Sequence, residues 1–180
     1  MRYTVHKWFW VWDFEKEENW LNEMSVKGLQ LVAVGFCKYV FEETIEGEYA
    51  YKLELLENVP SNAESISYIS FLEETGVEYI GSLMRWAYFR KKVAYGDFEI
   101  YSDIDSKIKH YKRIRFLILA VTSMNVVPAF SYLYNYIEKR HSVNFDFKIF
   151  SFLITLLLGF GILKVSKKIS KLKKEKAIRE

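Results

Sequence analysis

Near the C-terminus, Phe116–Leu163 reads as two apolar segments around a polar connection, and nothing else in the chain constrains its fold as strongly. Phe116–Ile137 (FLILAVTSMNVVPAFSYLYNYI) holds no charged residue, and about 20 such residues cross a hydrocarbon core. A buried helix of a water-soluble bundle shows a polar face at the helical repeat. This segment has only scattered Thr122, Ser123, Asn125, Ser131 and Asn135. Ile149–Leu163 (IFSFLITLLLGFGIL) is apolar again, though at 1.5 Å per residue it covers only about 22 Å. It reaches full thickness with help from flanking residues, Lys164 snorkelling at one end; a re-entrant segment is the alternative. The expected layout is a soluble domain over 1–101, an amphipathic juxtamembrane helix over 102–115, and spans over 116–137 and 149–166. An external loop over 138–148 and a basic tail over 167–180 complete it.

The flanks set an expected orientation. Lys107, Lys109, Lys112, Arg113 and Arg115 precede the first span, and Lys164, Lys167 and Lys168 open a basic run after the second. The connection offers only Lys139, Arg140 and Lys148. Positive residues stay cytoplasmic, so both termini are expected inside, in a multi-pass protein of the cell membrane. Asn125 and Pro128 invite a channel reading, but neither span carries an ionisable residue of the kind that marks an ion pathway. Interhelical hydrogen bonds and a proline kink account for both residues.

The net charge of +3 hides an asymmetry. Met1–Ser106 carries 10 Lys/Arg against 19 Asp/Glu, a net of −9, and Lys107–Glu180 carries 16 against 4, a net of +12. The basic part is suited to anionic lipid, and the acidic part is a poor nucleic-acid binder. No basic and apolar leader opens the chain. Cys37, the single cysteine, fits a reducing compartment.

Taken in order, Tyr3–Trp12 (YTVHKWFWVW) is an aromatic, branched run expected as a strand, with Val5, Phe9 and Val11 on one face and Trp8, Trp10 and Trp12 on the other. Asp13 can cap a helix from Phe14, with Phe14, Leu21 and Met24 as its apolar stripe and Gly28 as its stop. Leu29–Glu43 and Glu48–Glu57 read as strands of a hairpin turning at Thr44–Gly47. Ser61 and Glu64 are spaced as a capping box for a helix buried through Ala63, Ile66, Ile69 and Leu72, with Gly76 ending it. Val77–Val93 is a fourth extended run. The order β-α-β-β-α-β predicts an α+β, ferredoxin-like domain with a four-stranded antiparallel sheet, and no internal repeat stands out. Ser102 and Asp105 form another capping pair, before an amphipathic helix expected to run on into the first span.

Lys7-Trp8-Phe9, Trp20-Leu21-Asn22-Glu23-Met24 with Gly28-Leu29, Tyr88-Phe89-Arg90-Lys91 and Tyr101-Ser102-Asp103 together resemble a bacterial family, domain of unknown function 2812. The resemblance covers most of Met1–Arg115. It implies two C-terminal spans and no assigned activity, and family members' placement beside genes for PadR-like repressors implies a role in envelope response.

No catalytic constellation stands out. His6, His110 and His141 are scattered, no Cys/His cluster exists, and no glycine-rich phosphate loop occurs. Cys37 reads as packing within a strand. No enzyme, metal or cofactor is expected. The aromatic stripe Trp8, Trp10 and Trp12, with Trp86 or Tyr88 across the sheet, is the one candidate binding face. It suits a protein partner or self-association, or an amphipathic cation held by cation–π contacts; ordinary core covered by the helix over 103–115 is the alternative. The expectation is a membrane-anchored, non-enzymatic regulatory or sensor protein whose cytoplasmic domain binds a protein. An accessory subunit of a transporter or other membrane complex, recognised through the hairpin, is the second reading.

Overall fold

Among the described residues of the computed structural model (1–138 and 145–179), six strands and four helices follow one another. They divide into unit 1, Met1–Ser102, and unit 2, Asp103–Glu180. Unit 1 contains β1 (Arg2–His6), α1 (Phe14–Val26), β2 (Leu29–Gly35), β3 (Lys38–Glu43), β4 (Tyr49–Leu55), α2 (Ala63–Glu74), β5 (Val77–Leu83) and β6 (Trp86–Lys92). The class is α+β, and the order read from the sequence is present with two of its extended runs each folded into a hairpin. Leu29–Glu43 turns at Phe36-Cys37 and Val77–Val93 turns at Met84-Arg85. The expected four-stranded sheet is therefore two three-stranded antiparallel sheets, ordered β1-β3-β2 and β4-β6-β5.

The two sheets are built alike. Each comes from a β-α-β-β segment whose first strand pairs with its third. Each helix ends two residues before its next strand, with a glycine at positive φ, Gly28 at 74° and Gly76 at 82°, a conformation that favours glycine. Each second strand has seven residues and slips register at its fourth, between Leu31 and Ala33 and between Tyr79 and Gly81. Phe41 and Phe89, fully buried, occupy matching places. Unit 1 is thus a structural duplication with an offset of 48 residues, which the sequence reading missed because few side chains repeat.

Burial of Leu21, Leu31, Phe41, Tyr51, Leu53 and Phe89 supplies the main stabilisation, at about 1.5–3 kcal/mol for each large side chain. Local details differ from expectation. Asp13 precedes α1 without a side-chain cap and pairs with Lys16 at 3.4 Å. Asn62, not Ser61, caps α2, accepting from Glu64 N–H at 2.9 Å. Ser65, Ile69 and Leu72, at the i, i+4, i+7 spacing of one helix face, form the buried stripe of α2, leaving Ala63 and Ile66 exposed.

Unit 2 is α3 (Ile104–Ile137) and α4 (Phe145–Arg179). Asp103 accepts from the first turn of α3, from Ser106 N–H at 2.6 Å. The segments over 104–115 and 116–137 form one continuous helix, enclosing Pro128. The helices run antiparallel: Lys176 pairs with Asp105 at 2.7 Å, Lys168 lies 5.9 Å from the Tyr111 ring, and Thr155 Oγ1 donates to Asn125 O at 3.4 Å. Thr122 and Asn125 side chains also bond to carbonyls of their own helix. Ile108, Tyr111, Ile114 and Ile118 are buried on α3, and Val165, Ile169 and Leu172 on α4, each set spaced three or four residues apart along one helix face. Phe116, Met124, Val127 and Phe130, with Phe150, Leu156, Phe160 and Leu163, stay exposed. Both helices are long and apolar enough to cross a membrane. At 1.5 Å per residue each exceeds about 50 Å, more than the roughly 30 Å of hydrocarbon. Most of the connecting loop, including Lys139, Arg140 and His141, lies outside the described residues.

Candidate functional site

β1 and β2 both pair antiparallel with β3, so they point the same way and end together at His6 and Gly35. β4 and β5 likewise end together, at Leu55 and Leu83. The ends coincide because β2 and β5 run side by side in parallel. Arg90, opposite Glu78 of β5, reaches Gln30 and the Leu31 carbonyl of β2, while Val34 lies beside Gly81. One end of unit 1 therefore gathers the segment Lys7–Asp13, both hairpin turns and the start of α1.

Here lie the aromatic candidates. The strand expected over Tyr3–Trp12 stops at His6; Trp10 is extended and Val11–Asp13 forms a 3-10 turn that carries Trp12, and ring contacts hold Trp8, Trp10 and Trp12 in one row. Trp10 stacks on Trp12, centroids 5.1 Å apart and planes 2° off parallel; Trp8 meets Trp10 edge-on at 5.4 Å and Phe36 at 5.8 Å. Exposure grades along the row, from 8% at Trp12 through 40% at Trp10 to 54% at Trp8. Trp12 is core, and Trp8, Trp10 and Phe36 form a ridge rooted on it. Trp86, half-buried, packs against Phe14 at 5.5 Å. Tyr88, expected on the same face, is buried instead, because its hydroxyl is drawn inward to a carboxylate.

That carboxylate is Glu17. Tyr39 of the first sheet and Tyr88 of the second both donate to its Oε1, at 2.7 and 2.6 Å. Burial raises the Glu17 carboxyl above the usual range, while the two phenols favour its anion; the carboxylate and burial together push both phenols up. Further along α1, side chains at helical spacing meet the free edge of β4. Glu18 accepts from Leu53 N–H at 2.9 Å, Asn22 bonds both backbone groups of Tyr51, and Ser25 donates to Tyr49 O at 2.6 Å and accepts from Tyr49 N–H. A helix here takes the place of a neighbouring strand, which hides an edge that would otherwise pair with another chain. Burial pushes the Glu18 carboxyl up to about 7 against the Leu53 N–H and Lys52, which favour the anion. Arg90 ties the sheets, bonded to Glu78 at 2.7 Å and lying 4.3 Å from the Tyr49 ring.

In unit 2 the antiparallel register brings the two basic groups to one level. Lys107, Lys109, Lys112, Arg113 and Arg115 of α3 lie beside Lys164, Lys167 and Lys168 of α4, just beyond the apolar lengths. Cys37, expected within a strand, sits in the turn at φ 51° and accepts from Lys7 N–H through its carbonyl. Among the described residues no group of three His, Cys, Asp or Glu could hold a metal ion. Phe36 and Met84, exposed at the two turns, were missed in the sequence because neither turn has an Asn-Gly or Asp-Gly signal; Gly35 was the one hint.

No curated protein and no solved structure matches the chain. A family model does, from Asp13 at the start of α1 to Ser123 within α3, so it spans both units. With more than half of its length matched, the chain belongs to the family described as protein of unknown function (DUF2812).

Proposed function

We propose that this chain is a membrane-anchored regulatory protein that acts by binding rather than catalysis. In this reading the hairpin spans the bacterial cell membrane, both termini and unit 1 are cytoplasmic, and unit 1 recognises a protein partner. One observation carries the binding reading: Trp8, Trp10 and Phe36 stand exposed on a rigid base. Large aromatic side chains lose little entropy when such a surface is covered. The anchor is supported by two apolar helices whose outward side chains suit lipid. The orientation is supported by basic residues at one level of the hairpin.

The test has two parts. Protease added to sealed vesicles should remove unit 1 only when the cytoplasmic face is outward; removal from right-side-out vesicles defeats the orientation. Full-length chain and a version with an unrelated two-helix hairpin are then purified from membranes in mild detergent. A partner retained by both supports unit 1 as the binding part. A partner lost with the native hairpin favours the accessory-subunit reading.

A further inference from the structure

The two sheets of unit 1 have four edge strands, β1 and β2 in one, β4 and β5 in the other. Three of them are covered. β2 and β5 lie side by side, and α1 clasps β4 through Glu18, Asn22 and Ser25. At the offset of 48 residues, the counterparts of these three on α2 are Ile66, Ser70 and Glu73. All are exposed, so α2 clasps no strand edge in this way. That leaves β1, where Arg2, Tyr3, Thr4 and His6 are exposed and Val5 is half-buried.

Hydrogen bonding shows what β1 offers. Lys7 N–H donates to Cys37 O at 3.1 Å, in line with the β1–β3 register. Bonded pairs alternate along an antiparallel ladder. Tyr3 and Val5 therefore exchange bonds with Phe41 and Tyr39, and the N–H and C=O of Arg2, Thr4 and His6 point away from the sheet. No proline or bulge interrupts this edge, although such devices commonly keep other strands away.

An edge of this kind takes a strand, and its side chains suit a second copy of itself. Antiparallel pairing centred on Thr4 sets Thr4 against Thr4, Tyr3 against Val5 and Arg2 against His6. Thr–Thr and aromatic–β-branched pairs are favourable across strands. Charge agrees with this arrangement. Glu42 and Glu43 stand at one end of the β1–β3 ladder and Lys38 at the other, Arg2 being held by Glu42 at 2.7 Å. The acidic end of one copy thus lies along the basic end of the other, whereas parallel pairing in register sets Arg2 against Arg2.

We propose that two copies of this chain pair through β1 about a two-fold axis at Thr4, joining their first sheets into one of six strands. Each copy uses the same patch, as a closed two-fold contact requires. This goes beyond the reading of unit 1 as a binding domain and holds whether or not the hairpin spans a membrane. The aromatic ends then lie at opposite ends of the joined sheet, so one dimer presents two of them.

The full chain in mild detergent is tested by sedimentation, corrected for bound detergent, and by cysteine cross-linking in a Cys37→Ser background. Expected is a dimer that Thr4→Lys, which sets like charges opposite each other, converts to monomer. Thr4→Pro removes an N–H that the fold leaves unpaired and should act alike. Unchanged far-ultraviolet circular dichroism shows that both variants fold. Thr4→Cys should give a disulfide-linked dimer on mild oxidation, since Cα atoms of a bonded antiparallel pair lie about 5.5 Å apart. Ser67→Cys, exposed on α2, should not. A parent chain that is monomeric at every concentration reached overturns the proposal. A dimer that survives both Thr4 substitutions, or that cross-links as readily through Ser67→Cys, overturns it equally by placing the contact elsewhere.

Discussion

Tyr39 and Tyr88, from different sheets, donate to the same oxygen, Glu17 Oε1, at 2.7 and 2.6 Å. The bond pair holds the two halves of the duplicated unit to the first turns of α1, directly beneath the aromatic end. Tyr39→Phe and Tyr88→Phe each leave the buried carboxyl one donor and should cost about 1–3 kcal/mol. Because the donors share an acceptor, the double variant should depart from additivity by more than about 0.5 kcal/mol. Urea unfolding of the full chain in detergent, followed by tryptophan emission, measures all three; simple additivity would show that the phenols act separately.

Glu18 makes the stability of unit 1 depend on pH. Its folded-state carboxyl is raised from 4.5 to about 7, so between those values the folded protein binds more protons than the unfolded chain. Stability should therefore fall as pH rises through this window, by on the order of 2 kcal/mol, and level off above it. Glu17, also raised, contributes with the same sign. Glu18→Gln keeps an acceptor for Leu53 N–H and should flatten much of the slope. Unfolding midpoints measured from pH 5 to 8 decide it, and an unchanged slope would assign the dependence elsewhere.

Asn22 is the centre of the helix–strand seam, bonding Tyr51 N–H at 2.9 Å and Tyr51 O at 3.3 Å. Asn22→Ala strands both groups and should cost about 1–3 kcal/mol. It should also uncover the β4 edge and promote self-association. Chemical unfolding and sedimentation together check this; a variant as stable and as monodisperse as the parent would show that the seam is incidental.

The paired glycines should respond unequally. Gly28→Ala and Gly76→Ala both force a side chain into positive φ, costing about 1–2 kcal/mol. At Gly28 the added Cβ also comes 3.0 Å from Thr44 O, whereas at Gly76 the nearest atom, in the Tyr95 ring, is 3.7 Å away. The Gly28 variant should melt lower than the Gly76 variant, and equal melting temperatures would contradict the close approach.

How much of this was legible in the sequence depended on whether a signal was local. The two long helices, the stops at Gly28 and Gly76 and the α+β class were readable, because apolar length, glycine at a helix end and strand alternation are each properties of a short window. The hairpin turns at Phe36-Cys37 and Met84-Arg85 were not, since they interrupt runs of strand-forming residues without the usual turn residues. They hid the duplication and turned an expected four-stranded sheet into two sheets of three.

The aromatic residues show the same division. Sequence alternation by itself grouped Trp8 with Trp10, while Trp12 joins their row through a 3-10 turn over Val11–Asp13 that alternation does not foresee. Only the tertiary structure decided that Trp12 is core, that Trp8 and Trp10 are surface, and that Tyr88 turns inward. Those outcomes depend on contacts between distant parts of the chain, Glu17 with Tyr88 and Phe36 with Trp8. Burial is a property of the packed chain, and no short window of residues contains it.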